Sequence, residues 1–260
     1  RQENKETREQ VNIYNTSLKD NGEEFTRKYV ALPNHSEHQT GLAIDLGLNK
    51  PDIDFIRPDF PYVGICNEFR KAAPDYGFSE RYAKDKEEIT GISHEPWHFR
   101  YVGYPHSKII QENGFSLEEY TQFIKAYLED KKYLLEHTEK SLYEGLKQVK
   151  PGNRIGDISS AIEEYAKKHN LGVVKELEGH GVGTNLHEDP EVPNYGIKHT
   201  GPVLKKGMVI AVEPMLTLGS PEIVILDDDW TIETKDYSPS AHFEHTVVVT
   251  DDGCKILTGV

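Results

Sequence analysis

Cysteine is scarce. Cys66 and Cys254 are the only two in 260 residues, and they stand far apart. That spacing excludes a disulfide framework and a CxxC metal site, and it is compatible with a reducing compartment. No run of 18 or more apolar residues occurs, so no transmembrane helix is expected. The opening Arg1-Gln2-Glu3-Asn4-Lys5-Glu6 lacks the apolar stretch of a signal peptide and lacks an initiator Met, which suits a mature or trimmed chain. Basic residues are in deficit, with 30 Lys and Arg against 44 Asp and Glu and a net charge of −14. Phosphate binding needs a net basic surface, so the balance argues against nucleic acid as a partner. Neither an internal repeat nor a low-complexity tract is found. What remains is a polar globular chain, 28% charged and 36% hydrophobic, long enough for one large domain or two small ones.

Periodicity divides the chain in two. Residues 1 to about 30 read as helix, with Asn21-Gly22 as a break. Leu42–Leu46 and Trp97–Val102 read as strands, and Asn67–Ala73 as a helix. Ser116-Leu117-Glu118-Glu119 is a capping box opening a long apolar period through Leu146, either one helix or two meeting near residues 129–132. Asp157 is expected to cap a further helix, closed by His169-Asn170. From Val173 the pattern is strand-like, at Met208–Val212, Glu222–Leu226 and His242–Thr250, with a turn at Asp252-Gly253. Tyr120, Phe123 and Tyr127 sit at helical spacing and are expected in the core. Asp227-Asp228-Asp229 reads as a solvated turn. His106, His137, His169 and His199 lack an acid at telling spacing and read as surface residues.

Two clusters of histidine and acid carry chemistry. The first is Ser36-Glu37-His38-Gln39-Thr40-Gly41-Leu42-Ala43-Ile44-Asp45, with Glu95-Pro96-Trp97-His98 further on. Two His and one Asp make a three-ligand zinc set, which leaves a fourth position for water and lowers its pKa to about 7. Glu95 is then the candidate general base. Spacing alone is equally consistent with surface histidines and a capping aspartate. The words themselves, Ser-x-His-x-x-Gly-x-Ala-x-Asp and Glu-x-Trp-His, resemble the zinc D-alanyl-D-alanine carboxypeptidases and dipeptidases of the vancomycin-resistance type, over residues 5–128. The resemblance implies His38, Asp45 and His98 as Zn2+ ligands, Glu95 as base and Ser36 at the substrate. It also implies an Arg clamp for the substrate carboxylate. The segment that carries that Arg in the family is missing here. Arg1, Lys5 and Arg8 lie near its place, with Arg8 taken as the candidate.

The second cluster is Gly179-His180-Gly181, His187, Glu213-Pro214-Met215 and Phe243-Glu244-His245-Thr246. One His and two Glu on strand-like segments form an oxygen-rich set suited to Mn2+, Co2+, Fe2+ or Zn2+. A glycine turn beside strand-end acids is the plainer alternative. Residues 134–260 resemble the C-terminal half of type I methionine aminopeptidases. That implies His180, Glu213 and Glu244 as metal ligands and His187 beside the scissile bond. The family's two further Asp ligands come from an N-terminal half that has no counterpart here.

The expected fold is α+β: a zinc D,D-peptidase-like domain over 1–130, then half of a pita-bread (aminopeptidase-like) α/β fold over 131–260. The expected function is a zinc metallopeptidase cleaving D-Ala-D-Ala termini of peptidoglycan precursors. The alternatives are a methionine aminopeptidase with a dinuclear site, or an inactive fusion of the two. A peptide is the expected partner. A half-fold exposes an apolar face, so either an apolar surface patch or a second copy that covers it is expected. The cytoplasm is the expected location, or the cell-wall side if an N-terminal anchor has been removed.

Overall fold

A computed structural model describes residues 5–52, 54 and 56–258. Part of the first expected helix, residues 1–4, lies outside these. The chain separates into two units, the first ending at Lys125 and the second beginning at Ala126.

In the first unit, α1 (Lys5–Asn21) breaks at Gly22, whose φ is 82°, and α2 (Glu23–Tyr29) follows. The buried Ser17 and Thr26 hydroxyls pair at 2.8 Å across this break. Gln10 Nε2 donates to the Ala31 carbonyl at 2.7 Å and ties down the chain that leads to the site. Then come β1 (Ala43–Asp45), α3 (Gly64–Ala72), β2 (Phe78–Tyr82), α4 (Glu87–Thr90), β3 (Glu95–Tyr101) and α5 (His106–Asn113). β2 and α5 were not legible in the sequence.

The three strands form an antiparallel sheet in the order β1-β3-β2. Its register sets Asp45 directly opposite His98. Along the other edge Glu80 pairs Phe99, whereas Tyr82 pairs Glu95. Arg81 alone therefore faces three residues of β3, Pro96, Trp97 and His98, which is a bulge that bends the strand. Arg70 secures the bend by donating from Nη2 to the Pro96 carbonyl at 2.8 Å, while its Nε donates to Glu80 at 2.7 Å. Beneath the sheet Phe99 is fully buried, edge-on to Phe69 and Phe60 at 5.1 and 5.7 Å, with Trp97, Cys66 and Ala73 around them.

Helix α6 (Leu117–Leu146) is a single 30-residue helix rather than two. Its capping box forms: Glu119 accepts from the Ser116 N–H at 2.6 Å, and Ser116 Oγ accepts from the Glu119 N–H at 3.2 Å. Of the expected core aromatics only Tyr120 is buried. Phe123 and Tyr127 are 46% and 40% exposed, with the Phe123 ring resting against Phe115 and Tyr120.

In the second unit, α7 (Ile155–Lys168) starts before Asp157, which is its third residue and not its cap. Asp157 accepts from the Arg154 N–H at 2.8 Å and the His199 N–H at 2.9 Å. His199 thus has an acid partner, contrary to the expectation. The strands are β4 (Gly172–Val173), β5 (Gly179–Gly181), β6 (Glu188–Val192), β7 (Val209–Val212), β8 (Met215–Thr217), β9 (Ile223–Ile225), β10 (Ile232–Thr234), β11 (Ser240–His242), β12 (His245–Val249) and β13 (Cys254–Ile256). The expected strand His242–Thr250 is two strands in different sheets, broken at Phe243-Glu244. β12 lies in the sheet β13-β12-β7-β5-β6, and β11 in β11-β8-β4. Leu142, Leu146, Ile158 and Ile162 from the helices pack on Ile210, Val212, Val247 and Val249 from the larger sheet. The helical period of the first set meets the alternate-residue period of the second, which is why both faces are apolar. Asp228 accepts from the Trp230 and Thr231 N–H groups, as the turn reading requires.

Candidate metal centres

The first centre lies in the first unit. His38 stands on a 3-10 turn (Glu37–Thr40) that Gly41 closes at φ 71°, a left-handed conformation that favours glycine. The turn returns the chain into β1, so that His38 Nε2 lies 3.1 Å from Asp45 Oδ2. Asp45 Oδ1 lies 3.0 Å from His98 Nδ1 across the strand pair. The donor atoms of His38, Asp45 and His98 all fall within 4.8 Å of one another. Glu95 Oε2 is 3.7 Å from His98 Nδ1. Residues three apart on a regular strand point to opposite faces, and the bulge is what turns both toward one side.

The set fits a divalent cation. Two imidazoles and one carboxylate suit zinc, and the outer shell is also in place. His98 Nε2 and Glu37 Oε2 are both buried without a hydrogen-bond partner, and they face each other at 3.6 Å. With Nδ1 given to an ion, the proton of His98 sits on Nε2 and points at Glu37, the usual carboxylate partner of a metal-binding histidine. Glu37 is itself held by Arg81, whose Nε donates to it at 2.8 Å while its two terminal nitrogens fork onto Glu118 at 2.9 and 2.5 Å. Glu37, Arg81 and Glu118 do not stand out in the sequence as parts of a site. Glu37 has only a local signal, since it sits inside the Ser36–Asp45 motif. Arg81 and Glu118 have none. Glu37→Gln should weaken Zn2+ binding by about 10–100-fold, the usual cost of losing such a partner. Competition with a zinc chelator measures it, and an unchanged affinity would remove Glu37 from the support.

Burial and charge separate the carboxyl groups. Burial lifts Glu95 to about 8, opposed by His98 and reinforced by Asp45 and Glu37. Burial would also raise Asp45, but hydrogen bonds to His38 and His98 hold it at about 2. Glu37 likewise stays at about 2 against its burial, through His98 and Arg81. Burial opposes protonation of His98, yet the Asp45 carboxylate at its Nδ1 and the Glu37 carboxylate facing its Nε2 carry it to about 9.

A cavity of about 630 Å³ opens over this centre, with Ser36, Glu37, His38, Asp45, Glu95 and His98 in its wall beside Tyr14, Tyr29, Leu32 and Trp97. Its Arg and Lys are Arg27 and Lys28, each paired with a Glu one turn earlier on α2. Arg8 is exposed on α1. Arg1 lies outside the described residues.

The second centre lies in the second unit. His180 is on β5, Glu213 follows β7, and Glu244 lies between β11 and β12. His180 Nε2 approaches Glu213 Oε1 at 3.6 Å, and His187 stands over His180 with ring centres 4.0 Å apart. The donor atoms that converge within 4.8 Å, however, belong to Glu213, Glu244 and His242. His242 was not singled out from sequence. Its signal is the two-residue spacing to Glu244. A hydrogen bond to Glu213 raises the pKa of His242 against its burial.

Both centres are built from donor sets of metal-dependent hydrolases, and comparison with known proteins agrees. Residues 116–251 match the profile of metallopeptidase family M24, and residues 4–104 match that of the D-alanyl-D-alanine carboxypeptidases. Each of the two matched segments thus resembles a family of metallopeptidases. It belongs to metallopeptidase family M24, whose match covers more than half of it. Methionine aminopeptidase 1 of Bacillus subtilis is 52% identical over 132 residues, which are 51% of this chain and 53% of that protein. Methionine aminopeptidase of Escherichia coli is 47% identical over 121 residues, 46% of each chain. The vancomycin-resistance D,D-dipeptidase VanXYg, solved with a D-Ala-D-Ala phosphinate analogue, is 43% identical with a TM-score of 0.46, covering 96% of this chain and 68% of that one. The chain spans about half the length of the curated relatives it matches. Among the described residues no helix is long and apolar enough to cross a membrane.

Proposed function

We propose that the first unit is a zinc D,D-peptidase that hydrolyses peptides ending in D-Ala-D-Ala, as a carboxypeptidase or dipeptidase of peptidoglycan precursors. The observation that carries this reading is the convergence of His38, Asp45 and His98 with Glu95 at their side, under a cavity large enough for a dipeptide. A Zn2+ held by the three ligands supplies Lewis acidity toward a peptide carbonyl and acidifies water. A cation held beside Glu95 would favour its ionised form, whose Oε2 then takes a proton from the attacking water and returns it to the leaving amine. Asp45, kept ionised, anchors both imidazoles. Trp97 and the tyrosines of the wall exclude bulk water. Ser36, at the mouth of the same motif, contacts the substrate in this reading. The compartment that fits it is the cytoplasm, where such precursors are made.

Release of D-alanine from a peptide ending in D-Ala-D-Ala, measured with Zn2+ and again after chelation, tests the proposal. Release should appear with the metal and vanish without it. Absence of release from protein that holds one Zn2+ in this centre would transfer the chain to the inactive-fusion reading.

A second reading, removal of N-terminal Met by the second unit, draws on the identity with methionine aminopeptidases. A two-metal site holds ions about 3.5–4 Å apart, and that needs more donors than Glu213, Glu244 and their two histidines offer. Methionine release with added Mn2+ or Co2+ is therefore expected to be blank. Release that disappears in Glu213→Ala would reverse the ranking.

A further inference from the structure

We propose that Arg70, paired with Glu80, is a positioning residue for Glu95, holding the β3 backbone so that this carboxyl faces the metal centre. The proposal rests on the D,D-peptidase reading, in which Glu95 moves the proton.

Glu95 is fixed through both of its neighbours in the chain. On one side Arg70, in the last turn of α3, donates from Nη2 to the Pro96 carbonyl at 2.8 Å. On the other side His94 is held twice. Its N–H donates to Glu87 Oε1 at 2.6 Å, and its Nε2 lies 2.9 Å from the Tyr62 hydroxyl, with the two rings stacked. Glu80 joins the two sides. One of its oxygens accepts from Arg70 Nε at 2.7 Å, and the other accepts from the Tyr62 hydroxyl. The guanidinium carbon of Arg70 lies over the Tyr62 ring, 3.8 Å from its centre. Two further bonds, from Nη1 to the Pro61 carbonyl at 3.3 Å and from Nη2 to the Phe60 carbonyl at 3.2 Å, fix the plane of the guanidinium.

The bulge explains why such a brace is needed. Regular alternation would send Glu95 and His98 to opposite faces. A bulge turns them to one side, but it interrupts the ladder, so its backbone has to be held from elsewhere. The Arg70 and Glu80 side chains are 11% and 15% exposed. A buried ion pair adds little stability over apolar side chains of similar volume, whereas a forked guanidinium fixes direction. Lysine carries the same charge on a single nitrogen and cannot hold Glu80 and the carbonyls of Phe60, Pro61 and Pro96 at once.

Arg70→Lys in the full chain loaded with Zn2+ tests this. The kcat for D-alanine release should fall by about 10²-fold, the cost of displacing a reacting group by about 1 Å, with KM within about threefold and Zn2+ still bound. In the Glu95→Gln background the same change should cost less than about threefold, because the brace then has no base to aim. Equal losses in both backgrounds, a loss carried by KM or by zinc, or an unchanged kcat would each overturn the proposal. If Arg70→Lys does not fold, Tyr62→Phe replaces it, since that side chain is exposed and keeps its ring beneath Arg70. Losing the hydroxyl should lower kcat by about 3–10-fold, and only where Glu95 is present; an unchanged kcat there also overturns the proposal. Crystal structures of the Zn2+-loaded wild type and variant read the aim of Glu95 without turnover. Its carboxyl should move by about 1 Å, and an unmoved carboxyl sinks the positioning role. Wild-type protein that holds Zn2+ and releases no D-alanine would instead remove the D,D-peptidase reading, and the two structures would still decide on Arg70.

Discussion

Glu95→Gln should keep the metal and lose about 10²–10⁴ of the rate of D-alanine release, the span that a positioned general acid–base contributes. Gln is nearly isosteric and cannot take a proton. Glu95 is not among the three converging ligands, so Zn2+ affinity should change little. Retained turnover would remove Glu95 from the mechanism, and lost zinc would make it a ligand instead. The same variant has a signature in stability. In chelated protein the folded pKa of Glu95, about 8, lies above its ordinary 4.5. The neutral carboxyl is then the stabilising form, whole below pH 4.5 and lost as pH rises through 8. His98, raised from 6.5 to about 9, adds a contribution that is whole below 6.5 and lost as pH rises through 9. Chelated wild-type protein should therefore lose on the order of a few kcal/mol between pH 5 and 9. Glu95→Gln should remove the Glu95 part and be the more stable of the two at pH 9. Urea denaturation at a series of pH values measures this, and parallel profiles would contradict it.

Phe99→Ala should cost the first unit about 3–5 kcal/mol, the range for emptying a buried aromatic site. Phe99 is fully buried and packs edge-on against Phe60 and Phe69, so little can collapse into the space. The centre should suffer with the core, because β3 carries Glu95 and His98 and is bent over this ring. Trp97 is buried beside Phe99, whereas Trp230 is 87% exposed, so tryptophan emission reports mainly on the first unit. A midpoint shift worth less than about 1 kcal/mol would mean that the bulge, fastened by Arg70, holds its shape without the core beneath.

Much of the local structure was legible because it is written in near neighbours. The Ser116–Glu119 box, the Asn21-Gly22 break and the Asp252-Gly253 turn need only residues within one turn of chain. The converging donors of the first centre, His38, Asp45 and His98, all stand in words that the sequence singles out. The errors came where a distant partner decides. Asp157 was read as a cap, but the helix starts earlier, since the Arg154 and His199 N–H groups both reach that carboxylate. Phe123 and Tyr127 have the period of a core face that covers only part of its length. His137 and His169 read as separate surface residues, yet their rings stack at 4.0 Å.

The sequence by itself determined that this chain is α+β, that it joins two metallopeptidase-like segments, and which His, Asp and Glu are available to a metal. Only the tertiary structure decided which of them meet. Asp45 reaches His98 because β1 and β3 pair in that register. Glu95 joins them because a bulge opposite Arg81 undoes the alternation of a strand. His242 replaces His180 among the converging donors because β11 and β12 belong to different sheets. Each of these is a matter of cross-strand register, set by packing among residues far apart in sequence, and local periodicity carries no record of it.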